Sequence, residues 1–120
     1  MATLADQEFR ARLAALGAKF AATVPVTMEK IRVALAECQS GAEPGIEQLD
    51  NLHELLHGVA GTAGTFGFAV LGRECRRIEQ MVRQVMAGDA PWTPVVPEVQ
   101  VLLRWAAQDP QAAEYGDPRT

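Results

Sequence analysis

Two histidines one helical turn apart, His53 and His57, are the side chains of this 120-residue sequence best suited to chemistry. With Glu54 they form the pattern His-Glu-Leu-Leu-His, the H-E-x-x-H spacing in which two imidazoles bind zinc and the glutamate acts as base. A catalytic zinc needs a third protein ligand, and the sequence contains only 2 histidines. Glu74 or Glu79 would have to complete the site. A zinc hydrolase is therefore one hypothesis for this segment.

A single exposed imidazole offers a second chemistry. Imidazole titrates near neutrality, so one ring nitrogen keeps a free lone pair, and the N–P bond that it forms with a phosphoryl group is labile. On a helix with about 100° per residue, His57 points roughly 125° away from the centre of the apolar face that carries Leu52 and Leu56. The pattern therefore presents His57 to solvent. Its neighbours on that surface are Asp50, His53, Ala60, Gly61 and Gly64.

Glycines follow His57 at positions where a plain helix disfavours them. Each interior glycine costs a helix about 1 kcal/mol relative to alanine, so Gly58 and Gly61 need a further reason. One explanation is access to the imidazole ring. The other is close packing of a neighbouring helix, with Gly64 and Gly67 simply ending this one. Spacing alone leaves both explanations open.

The elements that must hold this segment are predicted to be helices throughout. Apolar residues recur at helical spacing, and no strand-length run of β-branched residues is bounded by turns. Thr23 is expected to cap a helix that carries Pro25 in its first turn. The fold class is therefore all-α, an antiparallel four-helix bundle with an additional N-terminal helix. The expected helices cover residues 4–23, 25–39, 46–64, 68–86 and 95–108.

The chain is predicted to be one domain, residues 1–120, with a bundle core at about 20–108 and a flexible tail at 109–120. Its composition is that of a globular protein, with 48% hydrophobic and 22% charged residues. The net charge of -4 and the lack of a basic cluster argue against a nucleic-acid partner. No membrane segment or export signal is recognised, so a cytoplasmic location and reduced thiols at Cys38 and Cys75 are expected.

The segment from His57, H-G-V-A-G-T-A-G-T-F-G-F, resembles the signature of bacterial histidine-phosphotransfer (HPt) domains. The matching residues are His57, Gly61, Ala63, Gly64, Phe66 and Gly67. Downstream, a pattern similar to the second hairpin helix of that family is formed by Leu71, Cys75, Ile78 and Glu79. Including the Phe20 to Pro25 spacing upstream, the resemblance covers most of residues 16–86. One departure is Ala60, where many family members carry Lys or Arg; an arginine on the next helix would have to replace it, the candidates being Arg73, Arg76, Arg77 and Arg83.

The resemblance implies a phosphocarrier without kinase activity of its own. His57 would accept a phosphoryl group, and the partner surface would include His53, Ala60, Gly61, Gly64, Arg73, Arg76 and Arg77. The implied partners are response-regulator receiver domains and a hybrid sensor histidine kinase. The chain itself would need no cofactor or metal, since Mg²⁺ would belong to the receiver. A third hypothesis keeps the fold but loses the transfer, leaving a helical interaction module.

Overall fold

A computed structural model describes residues 3–120 and contains four long helices and one turn of 3-10 helix. The helices are α1 (Leu4–Cys38), α2 (Ile46–Thr62), α3 (Ala69–Met86) and α4 (Val95–Gln108), and the 3-10 turn is Ala63–Phe66. Short loops join successive helices, so neighbouring helices run antiparallel. In cross-section α1 and α3 lie at opposite corners of the bundle, and each of them packs on both α2 and α4. This confirms the predicted all-α bundle.

The predicted break between two helices at Thr23 is wrong, because α1 continues through it for 35 residues. Thr23 does not cap a helix; its hydroxyl donates to the Phe20 carbonyl at 2.7 Å. Pro25 deprives Ala21 of its helical hydrogen-bond donor, but both residues lie on the exposed side, where water can satisfy the carbonyl. The additional N-terminal helix is thus the first part of α1, and it helps to extend the molecule to 60 × 31 × 22 Å.

The core lies between the four helices and is filled mainly by aliphatic side chains. Each helix contributes at spacings of three and four residues, so one stripe per helix is buried. The largest fully buried side chains are Ile31, Leu52, Leu56, Leu71, Ile78 and Leu102. Within residues 3–120, no helix combines the length and the apolar character needed to cross a membrane.

Both cysteines are buried and free. Burial raises the pKa of the Cys75 thiol to about 12, with smaller contributions from the nearby carboxylates of Glu74 and Glu79. The thiolate is the reactive form of cysteine, so Cys75 acts as a small core residue rather than a nucleophile.

The α2–α3 hairpin, which carries the histidines, turns tightly between the 3-10 helix and α3. Gly67 has φ 86°, a left-handed conformation that side chains disfavour, and its amide donates to the Gly64 carbonyl at 3.5 Å. Gly72 then lets α3 approach the 3-10 turn, because a Cβ there would lie 3.2 Å from the Ala63 Cβ and 3.4 Å from the Gly64 amide nitrogen. The 3-10 turn and α3 are therefore in close contact just beyond the histidine segment.

The C-terminal residues lie against α4. The Trp105 indole donates to the Glu114 carbonyl at 2.8 Å, the Tyr115 ring lies 5.1 Å from the Trp105 ring, and Arg104 pairs with Asp117 at 2.9 Å. That ion pair holds the pKa of the Asp117 carboxyl well below its usual range. Flexibility of residues 109–120 stays a prediction, but these contacts show a segment that folds back onto the bundle.

Candidate functional site

His57 projects from the middle of α2 into solvent. Its side chain is 60% exposed, whereas Leu56 and Val59 beside it are buried. The apolar stripe of α2 faces the core and turns the position of His57 outward, as the spacing predicts. Part of the ring is nevertheless fixed, because its Nδ1 atom lies 2.7 Å from Oε1 of Glu79 on α3.

Glu79 is a buried carboxylate, only 4% exposed, at the interface of α2 and α3. A carboxylate accepts hydrogen bonds, so this contact places the imidazole proton on Nδ1 and leaves a lone pair on Nε2. Nε2 makes no hydrogen bond with any other residue of the described chain. The arrangement therefore fixes the ring plane and presents one nucleophilic nitrogen to solvent.

The sequence alone did not identify the residue that orients His57, although one feature of the sequence points to Glu79. Glu79 lies on the buried stripe of α3 beside Leu71, Ile78 and Val82, all of them 0% exposed. A carboxylate on such a stripe is costly without a partner, so its position indicates a polar group on the facing helix. Arg83 also approaches Glu79, and its guanidinium lies 3.6 Å from Oε1.

His53 lies under His57 rather than on the open surface. Its side chain is 12% exposed, and the two rings stack with centroids 5.9 Å apart and planes inclined by 14°. The His53 Nε2 atom is 3.2 Å from Glu79 Oε1, but the directions do not fit a hydrogen bond, so both buried ring nitrogens of His53 lack a hydrogen-bond partner within residues 3–120. The predicted partner contact of His53 is thus confined to its small exposed edge.

The surface beside His57 is bare because Gly61 and Gly64 face open space. A Cβ added to Gly58, Gly61 or Gly64 would meet nothing within 4 Å. Close helix packing therefore does not account for them; it accounts for Gly72 instead. For Gly61 and Gly64, which lie on the same surface as His57, access to the ring is the explanation that fits this geometry.

Ala60 departs from its predicted place on the open surface. Its side chain is only 9% exposed and belongs to the core between α2 and α3. The angle between successive residues of α2 places Ala60 near His57, but α3 packs over the side of α2 that carries Ala60. Its backbone remains part of the site, because the Ala60 carbonyl accepts a hydrogen bond from the Arg76 guanidinium at 3.3 Å.

The predicted arginines separate into two groups. Arg76 reaches across to α2 beside the histidine segment, and Arg83 approaches Glu79. Arg77 turns toward α4, where it pairs with Glu98 at 2.6 Å and with Glu74 at 2.9 Å. Arg73 lies 3.6 Å from Glu74. Of the four candidate arginines, only Arg76 and Arg83 contact residues at the His57 site.

The geometry does not assemble the H-E-x-x-H zinc site. The Glu79 carboxylate approaches both imidazoles through the same oxygen, Oε1, and it is hydrogen-bonded to Nδ1 of His57. Glu74 is paired with Arg77 instead. Within residues 3–120, the group whose metal-ligand atoms lie within 4.8 Å of one another is Asp50, His53 and Glu54, which excludes His57.

Comparison with known proteins gives one match. The family model of the Hpt domain matches residues 15–108, which include all of α2, α3 and α4 and most of α1. A search of curated proteins and a search of solved structures found no match. Since the match covers most of the sequence, this chain belongs to the Hpt domain family.

Proposed function

We propose that this chain carries a phosphoryl group on Nε2 of His57 between receiver domains. Hpt domains serve in phosphorelays as phosphocarriers rather than as kinases, and response regulators are their partners. One observation carries the assignment of the residue: His57 is the exposed histidine of the two, and the buried Glu79 engages its Nδ1 at 2.7 Å, leaving Nε2 free.

The transfer step follows from that geometry. The Nε2 lone pair attacks the phosphorus of an aspartyl phosphate, the N–P bond forms, and the P–O bond to the aspartate breaks with its electron pair leaving on the carboxylate. The proton stays on Nδ1, so the imidazole becomes positively charged. Glu79 stabilises that charge from a buried position, where charges are screened less than in water. The reverse reaction delivers the group to the next regulator.

The receiver would dock over the open glycine surface. Gly61 and Gly64 leave room above the helix, and Arg76 provides a cation at the edge of the site, where it compensates for the missing basic residue at position 60. Arg83 adds a second positive charge beside Glu79. The Mg²⁺ that helps neutralise the phosphoryl group would be bound by the receiver. A hybrid sensor histidine kinase is the proposed source of phosphate.

Labelled phosphoryl transfer from a phosphorylated receiver domain tests the proposal. Wild-type chain should acquire label that is labile in acid and stable in base, as expected for an N–P bond, and His57→Gln should acquire none. His53→Gln is the matched control, one turn away on the same helix, and should still be labelled. Circular dichroism should show that both variants keep their helical content. Label on folded His57→Gln would refute the assignment.

A further inference from the structure

The imidazole of His53 is buried without a partner for either of its nitrogens. Its side chain is 12% exposed, and neither Nδ1 nor Nε2 forms a hydrogen bond with any group of residues 3–120. A buried polar atom without a partner is costly, so a histidine in this position needs a group that binds at least one nitrogen. The phosphoryl transfer proposed for His57 gives His53 no such partner. The side chains around His53 indicate what the partner is.

Two carboxylates lie on the face of α2 that carries His53. Asp50 precedes His53 by three positions and Glu54 follows it directly, so the two carboxylates are one helical turn apart. One metal-ligand atom from each of the three side chains lies within 4.8 Å of the other two, and Nδ1 of His53 is 3.8 Å from Oε1 of Glu54. In the part of the chain that the structure describes, neither carboxylate pairs with a lysine or an arginine. A cation beside Nδ1 would therefore compensate two negative charges.

The buried Glu79 lies at the other nitrogen of the ring. Its Oε1 atom is 3.2 Å from Nε2 of His53, and its negative charge favours the tautomer that carries the proton on Nε2. The lone pair is then on Nδ1, the nitrogen beside Glu54. Histidines that bind metals have this arrangement, in which one nitrogen binds the ion and the other donates its N–H to a carboxylate. Both shells of a metal site are thus present around one imidazole.

We propose that Asp50, His53 and Glu54 bind a zinc ion, with Glu79 as the residue that orients His53. Zinc takes imidazole nitrogen and carboxylate oxygen at about 2.0 to 2.2 Å, usually with four ligands, so water completes the site. Asp50 is exposed and the Glu54 side chain is 66% exposed, which leaves both free to turn toward an ion at Nδ1. This site differs from the H-E-x-x-H site in its ligands, because it uses Asp50 in place of His57.

The ligand types determine which ions the site selects. Imidazole suits zinc and other late transition metals, whereas magnesium and calcium prefer sites made of oxygen alone. His57 keeps its contact with Glu79 and takes no part in the zinc site. Zinc binding and phosphate transfer therefore use different histidines of the same helix, and each is measured without the other.

Isothermal titration calorimetry of the full chain without an affinity tag, with zinc chloride as the ligand, tests the site. Wild type should bind one zinc ion per chain, and excess magnesium chloride should not compete. Glu79→Gln should weaken binding by about tenfold, the usual effect of losing the group that orients a ligand. His53→Gln and Asp50→Asn each remove a ligand and should weaken it further. Glu47→Gln is the matched control, because it removes the same charge one turn before Asp50 but outside the cluster, and it should bind like wild type.

His57→Gln separates this site from one that the two histidines share. It should bind zinc with an affinity close to that of wild type; a loss as large as that of His53→Gln would place the ion between the two imidazoles and overturn the proposal. Equal binding by wild type, His53→Gln and the exposed-site variant Asp50→Asn would show an adventitious ion only. Effective competition by magnesium would also overturn the proposal, since it would indicate carboxylate ligands alone. Circular dichroism should show that every variant keeps its helical content.

The two proposals fail separately. A chain that binds zinc through His53 but acquires no label from a phosphorylated receiver would refute the phosphocarrier and keep the zinc site. A chain that is labelled on His57 and binds no zinc would refute the zinc site and keep the phosphocarrier.

Discussion

Oε1 of Glu79, buried between α2 and α3, lies 2.7 Å from Nδ1 of the exposed His57. This contact joins the core of the bundle to its reactive surface. It leaves Nε2 as the free ring nitrogen, and in the transfer proposed above it places a negative charge beside the imidazole as the ring becomes positive.

Glu79→Gln should slow phosphoryl transfer to His57 by about tenfold to a hundredfold, since a hydrogen bond to a charged group contributes about 1.5 to 3 kcal/mol. An amide can still orient the ring but cannot stabilise its positive charge. The measurement is the initial rate of labelling from a phosphorylated receiver. Glu74→Gln is the control, because Glu74 is also buried on α3 but pairs with Arg77, and its transfer rate should be near that of wild type. Equal rates for the two variants would contradict the role of Glu79.

Two glycines of the hairpin should respond in opposite directions to larger side chains. Gly58→Ala should raise the free energy of unfolding by about 0.5 to 1 kcal/mol, because the methyl group meets open space and alanine favours the helix. Gly72→Leu should lower it by about 1 to 3 kcal/mol, because the 3-10 turn at Ala63 and Gly64 is already in contact with that position. Urea unfolding of both variants gives the comparison. A stabilised Gly72→Leu protein would contradict the packing described for α2 and α3.

The glycine surface should matter for docking but not for folding. Gly61→Gln places a long side chain beside His57 without touching the core, so its thermal unfolding midpoint should stay at or above that of wild type. Labelling by a receiver should fall by at least about tenfold, because a displaced partner loses the alignment that the transfer requires. Small phosphodonors such as acetyl phosphate, which need no docking surface, serve as the control. A receiver that labels Gly61→Gln as fast as wild type would place the docking surface elsewhere.

Arg76 and Arg77 should have separate effects although they are adjacent. Arg76→Ala should reduce the transfer rate, because Arg76 is the cation at the edge of the histidine surface. Arg77→Ala should leave the rate unchanged and lower the free energy of unfolding by about 1 kcal/mol, a modest value because Arg77 is 41% exposed. Hydrogen bonding to Glu98 raises the pKa of Arg77, as expected for a structural ion pair. The transfer rates and urea unfolding curves of the two variants separate these roles.

Stability should fall at alkaline pH through a buried phenol. Burial raises the pKa of Tyr115 to about 12, whereas its unfolded value is about 10. Between these values the unfolded chain loses the proton first, so the free energy of unfolding falls as pH rises through this window. Cys75 adds to the fall from about pH 9 upward, because its folded pKa is about 12. Tyr115→Phe should therefore lose less stability between pH 9 and 11.5 in urea unfolding.

The Tyr115 hydroxyl is buried without a hydrogen-bond partner in the described chain, so at pH 7 the same variant should be as stable as wild type or slightly more stable. A Tyr115→Phe protein with an unchanged alkaline loss would show that the phenol ionises without unfolding the chain.

The sequence by itself determined the helical class, the bounds of α2, α3 and α4 to within a few residues, and the outward position of His57. These properties depend on periodicity along one helix, and the angle from residue to residue is set by local backbone geometry. The sequence also indicated Gly61 and Gly64 as an open surface, although it left close packing as an equal explanation.

The tertiary structure decided what depends on a second helix. It placed Glu79 under the imidazole, covered Ala60 with α3, turned Arg77 toward α4 and assigned close packing to Gly72. The tertiary structure also decided that α1 continues through Pro25. Packing of Phe20 and Val24 before the proline, and of Met28 and Ile31 after it, outweighs one lost hydrogen bond on the exposed face. Helical periodicity gives the direction of a side chain but not its neighbour, and the neighbours became known only once the four helices were packed together.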